Sequence, residues 1–135
     1  MTVSIRELRG ITKELASKLK EAGLSNSDQL LEAAKAPAGR KALAGQMGAE
    51  VGLILELANR ADLARVKGIG QVFSDLLEKA GVDTVKELAT RRPDNLHAKL
   101  LETNVQLQLA QRAPTQKEVE DWVSQAKALP PVLEY

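Results

Sequence analysis

Five consecutive residues, Val66-Lys67-Gly68-Ile69-Gly70, have the types and spacing to hold an anion with the main chain. Two glycines around one apolar residue remove the side chains that would keep a ligand off the backbone. The residues that follow read as a helix, and the first N–H groups of a helix carry a partial positive charge that favours phosphate-like groups. Lys67 adds a cation, and Arg65 lies two residues before it. Leu8-Arg9-Gly10-Ile11-Thr12 repeats much of this pattern, with Arg9 where the later turn has Lys67. The candidate anion-binding residues are therefore Arg65, Lys67, Gly68, Ile69 and Gly70, with Arg9 and Gly10 from the earlier turn. The first turn departs at one position. Thr12 stands where Gly70 stands, which supplies a helix cap and costs backbone access.

The likeness between the two turns extends along the chain. At a constant offset of 58 residues, Gly10, Ile11, Leu19, Ala22, Gly23 and Leu30 meet Gly68, Ile69, Leu77, Ala80, Gly81 and Leu88 as identities. A fixed-period match that keeps glycines and apolar positions implies one helical unit used twice. In the first unit the expectation is a short helix near residues 3–8 and a helix capped by Thr12 that ends at Gly23. A third helix capped by Ser25, with Asp28 three residues on, is broken by Pro37 and Gly39. Short helices over residues 42–47 and 51–58 follow, the last so apolar all round that it is expected to be buried between the units. In the second unit Gly81 ends the helix after the glycine turn, Asp83 caps the next, and residues 96–101 form a fourth. Residues 105–114 read as a connector, though Val105, Leu107 and Leu109 could prolong a helix. Thr115 and Glu118 make a capping box for a last helix, carrying Trp122 and stopped by Pro130-Pro131.

Composition narrows the function classes. The 135 residues suit one domain or two very small ones, and with one Phe, one Trp and one Tyr the core must be aliphatic. No cysteine is present, so disulfides, thiolate metal sites and Cys nucleophiles are excluded. No apolar run approaches the roughly 20 residues of a membrane span. The first residues carry no signal-peptide core, so the expected location is the cytoplasm. Nineteen basic against eighteen acidic residues argue against coating nucleic acid by bulk charge. His97 is the single histidine, expected to be exposed, and no nucleophile elbow, P-loop or carboxylate metal motif occurs. Catalytic residues, metal and cofactor are therefore all expected to be none.

Val66-Lys67-Gly68-Ile69-Gly70, then Leu76-Leu77 and Ala80-Gly81-Val82, resemble the helix-hairpin-helix family. The resemblance implies that the glycine turn and the following helix start hold a DNA phosphate without reading bases. Residues 77–89 also look like the segment after the hairpin in the carboxy-terminal domain of bacterial RNA polymerase α, which touches both DNA and protein. Ala61-Asp62-Leu63, and Trp122 with Ala126-Lys127, make the whole chain similar to a bacterial and cyanobacterial domain-of-unknown-function group with two such units.

The expected fold is all-α: two pseudo-repeated helix-hairpin-helix units of about five helices each, residues 1–60 and 61–135, with the orthogonal packing of the SAM-like kind. The expected function is a non-catalytic, sequence-independent grip on the DNA backbone. The alternatives are a protein-interaction scaffold with degenerate hairpins, or an accessory subunit of a DNA-processing enzyme. In the scaffold reading the glycine turns serve only to pack helices.

Overall fold

The computed structural model describes residues 2–8 and 10–135. Among them are eight α-helices and one 3-10 turn, and the only β pairing is an isolated bridge of Ser4 with Asn26. The architecture is all-α. The chain divides into two compact units, Thr2–Arg65 with Val132–Tyr135, and Val66–Pro131.

The first unit opens with the 3-10 turn Ile5–Glu7, held by a capping box between Ser4 and Glu7. Four helices follow: α1 Lys13–Glu21, α2 Ser27–Ala34, α3 Pro37–Met47 and α4 Val51–Leu63. Thr12 caps α1 by accepting the Leu15 N–H at 3.1 Å. Gly23 takes the left-handed conformation that ends α1, at φ +88°. Leu24 N–H then reaches Leu19 O at 2.8 Å, which satisfies a helix-end carbonyl. The cap of α2 is Asn26, not Ser25: its side chain accepts the Gln29 N–H at 2.9 Å, while Ser25 turns to the Gln29 side chain. The break at Pro37 is where the sequence places it, α2 ending at Ala34 and α3 beginning at Pro37, whereas Gly39 lies inside α3. Pro37 sits in the first turn of α3, where its missing N–H has no partner to lose. Gly39 lets α3 approach α2 closely, since a Cβ there would lie 2.4 Å from Ala33 O. Helix α4 runs five residues past the expected end and packs on α2 and α3. Leu19, Leu30, Ile54 and Leu57, all fully buried, centre the core of this unit.

The second unit has four helices, α5 Gln71–Lys79, α6 Val85–Ala89, α7 Pro93–Leu107 and α8 Gln116–Ala128, rather than about five. Thr84, not Asp83, caps α6 by accepting the Glu87 N–H at 3.2 Å. The same one-residue shift moved the α2 cap from Ser25 to Asn26, 58 positions earlier. Helix α7 begins at Pro93 and continues through Val105 to Leu107, so part of the expected connector is helical. Gln108, at φ +51°, closes it. The Thr115–Glu118 capping box starts α8 as its residues require.

In the first unit α1 packs on α3, α2 on α3 and α4, and α3 on α4; in the second α5 packs on α7, and α6 and α7 pack on α8. Their turns share hydrogen bonds: Ile11 N–H to Leu8 O at 3.3 Å and Ile69 N–H to Val66 O at 3.2 Å, Leu24 to Leu19 and Val82 to Leu77 both at 2.8 Å.

Two glycines of α3 separate close approach from open space. Gly39→Ala should destabilise the chain by about 1–3 kcal/mol, because the new methyl meets backbone that cannot step aside. Gly45→Ala, with nothing within 4 Å, should stabilise it by about 0.5–1 kcal/mol. Urea midpoints of the two variants check both signs, and a neutral Gly39→Ala would contradict the close approach.

Candidate functional site

The second glycine turn lies between the end of α4 and the start of α5. Gly68 adopts φ +101°, a conformation that only glycine takes without strain. It also packs: a Cβ at Gly68 would lie 3.0 Å from Trp122 Nε1. Trp122 is buried on α8, its ring 5.3 Å from that of Phe73. Gln125, one turn further along α8, clamps the turn from the same side. Its Oε1 accepts the Lys67 N–H at 2.8 Å and its Nε2 donates to Lys67 O at 2.9 Å. Ile69 is buried, and its N–H returns to Val66 O. The inner half of the turn is thus closed by protein.

The outer half is open. Gly70 is the N-cap of α5 at φ −92°, and nothing lies within 4 Å of the Cβ it lacks. Neither conformation nor packing demands glycine there. No side chain caps α5, and the N–H groups of Gly68 and Gly70 have no acceptor among the described residues. Lys67 is exposed beside them.

The cations divide by circumstance. Arg65 does not join the open side of the turn: its Nη1 donates to Asp62 at 2.9 Å, and both side chains are largely buried. Arg91 holds Glu87 and the Gly81 carbonyl, while Arg92 pairs loosely with Asp94 at 3.3 Å. Arg112, which sequence reasoning did not single out, lies over the ring of Phe73, on the first turn of α5, at 5.5 Å. It pairs with Glu118 at 2.7 Å. This hydrogen bond, with that from the Thr115 main chain, holds the Glu118 carboxyl at about 2, well below its ordinary 4.5. His97 is half-buried rather than exposed, with Nε2 3.0 Å from Pro114 O.

The first turn shares a left-handed glycine with the second and differs at the helix cap. Gly10 takes φ +91°, but Thr12 already caps α1. A cleft of about 420 Å³ beside it is lined by Thr12, Glu14, Lys18 and Glu50, and its two carboxylates repel an anion. Arg9 lies outside the described residues. The two turns belong to separate units. Gln125 was missed because its partners in the turn are main-chain atoms, which leave no pattern of side-chain types. Among the described residues no group of three His, Cys, Asp or Glu side chains could hold a metal ion, and no helix is long and apolar enough to cross a membrane.

Fold and site define an all-α protein of two small helical units whose glycine turns open onto helix starts. Residues 9–129 match the family described as a domain of unknown function, DUF4332, and the chain belongs to that family. No curated protein and no solved structure matches it.

Two outcomes follow from this geometry. Gly68→Ala should cost about 1–3 kcal/mol through strain and contact with the indole, read as an earlier loss of Trp122 fluorescence on heating. The Glu118 carboxyl should titrate by NMR near pH 2 and move back toward 4.5 in Arg112→Gln. Folding lowers this pKa, so the pair stabilises the protein above pH 4.5 and its contribution fades as pH falls toward 2.

Proposed function

We propose that the chain is a non-catalytic, sequence-independent DNA-binding module of helix-hairpin-helix type, built as a pseudo-repeat in which the second turn grips a backbone phosphate. The observation that carries this reading is Gly70: a helix cap with no side chain, in open space, where two N–H groups have no acceptor among the described residues. A phosphate oxygen there would take the place that Thr12 Oγ1 fills in the first turn. Gly68, Gly70, the first N–H groups of α5 and the Lys67 ammonium form the grip, and Ile69 anchors it from beneath. Gly10 keeps the repeat's fold. Arg65, paired with Asp62, is a structural cation in this reading.

A second reading is a protein-interaction module that keeps the hairpins only for packing. It is favoured by Gln125 and Trp122, which account for the inner half of the turn without any ligand.

Fluorescence anisotropy with duplex, single-stranded and branched DNA, titrated with salt, separates the readings. Binding should be weak at low salt, with a slope equivalent to about 2–4 phosphates. Lys67→Glu should abolish it. Gly70→Thr imports the cap of the first turn, so it should raise stability by a few tenths of a kcal/mol while lowering affinity at least tenfold. DNA binding that is absent at low salt, or indifferent to both variants, would leave the interaction module.

A further inference from the structure

Arg40 on α3 is only 4% exposed, and its guanidinium is spent on main-chain carbonyls. Nη1 donates to Ala34 O at 2.9 Å and Lys35 O at 3.0 Å, the last carbonyls of α2, where a cation is favoured. Nη2 donates to Glu134 O at 2.7 Å, in the segment Val132–Tyr135 that lies on the first unit. Glu134 N–H in turn donates to Lys35 O at 2.7 Å. Both main-chain groups of residue 134 are therefore read, while its side chain is exposed. Val132 and Leu133 pack half-buried against the core. The Tyr135 ring covers the Arg40 guanidinium at 5.7 Å, and its hydroxyl donates to Asn59 Oδ1 at 3.2 Å.

This is the division of labour of a peptide-recognition groove: main-chain hydrogen bonds for affinity, and side-chain contacts before and after them for specificity. We propose that the groove bounded by Arg40, Asn59 and the end of α2 is a docking site for an extended peptide of the pattern apolar–apolar–any–aromatic, and that Val132–Tyr135 is its resident competitor. Two features make the resident replaceable. The segment follows the exposed Pro130-Pro131, and Tyr135 at its end is 70% exposed. The two α2 carbonyls keep Arg40 in place when the segment leaves, and the vacated Nη2 donor then favours any strand that offers a carbonyl. The proposal is independent of the phosphate grip.

The test uses a fluorescein-labelled peptide PVLEY and the full chain. Leu133→Asp with Tyr135→Ala weakens the resident segment and leaves the groove intact. This chain should bind the peptide at least tenfold more tightly than the unmodified one, whose own segment competes at an effective concentration in the millimolar range. Adding Arg40→Met should remove that binding. Replacing the peptide's glutamate by lysine should change little, whereas replacing its tyrosine by alanine should weaken it at least tenfold. Equal binding to both chains, no binding to a weakened chain that melts normally, or binding indifferent to Arg40→Met would overturn the proposal. Should the weakened chain fail to fold, NMR of the unmodified chain decides: Tyr135 ring signals that move to free-peptide positions at millimolar peptide support it, and unmoved signals overturn it.

Discussion

The contact of Gly68 with the Trp122 indole is the constraint from which the second unit's turn is built. A left-handed backbone at φ +101° turns the chain sharply ahead of α5, and the turn sits so near the indole that a Cβ on Gly68 would lie 3.0 Å from Trp122 Nε1. With the turn seated there, Gln125 can take both main-chain groups of Lys67. Packing and ligand access are then opposite faces of one structure. The inner face is spent on α8, and the outer face presents Gly70 and the uncapped start of α5. A glycine turn needs the inner face to be rigid if the outer N–H groups are to be preorganised for an anion.

The contrast between Thr12 and Gly70 turns on who satisfies the helix start. Each α-helix begins with N–H groups that lack an intrahelical partner. In α1 the Thr12 hydroxyl supplies an acceptor from within. In α5 the same position supplies nothing, and water or an anion must. One side-chain oxygen thereby separates a helix start capped from within from one that no side chain caps. The glutamates beside Thr12 act in the same direction.

Most arginines here are committed within the fold. Arg40 holds three carbonyls, Arg65 holds Asp62, Arg91 holds Glu87 and a carbonyl, and Arg112 holds Glu118. A chain of net charge +1 with its guanidiniums so occupied has little long-range field to offer a polyanion. Any recognition of phosphate must come from main-chain donors at short range with Lys67 beside them, which is why it would be local and indifferent to base sequence.

The helical class, the positions of both glycine turns, the Thr12 cap and the Thr115–Glu118 box were legible in the sequence. Each depends on residues within a few positions of one another, where backbone geometry and capping leave a pattern in residue type. The caps at Asn26 and Thr84 were misplaced by one residue because Ser25 and Asp83 have equally suitable side chains. Pro37 marks both the expected end of one helix and the first turn of the next, since proline disfavours a helical residue before it yet suits a helix start. By itself the sequence determined that two glycine turns would each open onto a helix. Only the tertiary structure decided that Gln125 and Trp122 would close one side of the second turn, that Asp62 would claim Arg65, and that Arg40 would gather Glu134 to α2. These contacts depend on main-chain atoms, burial and, for most of them, residues distant in the chain, none of which local spacing records.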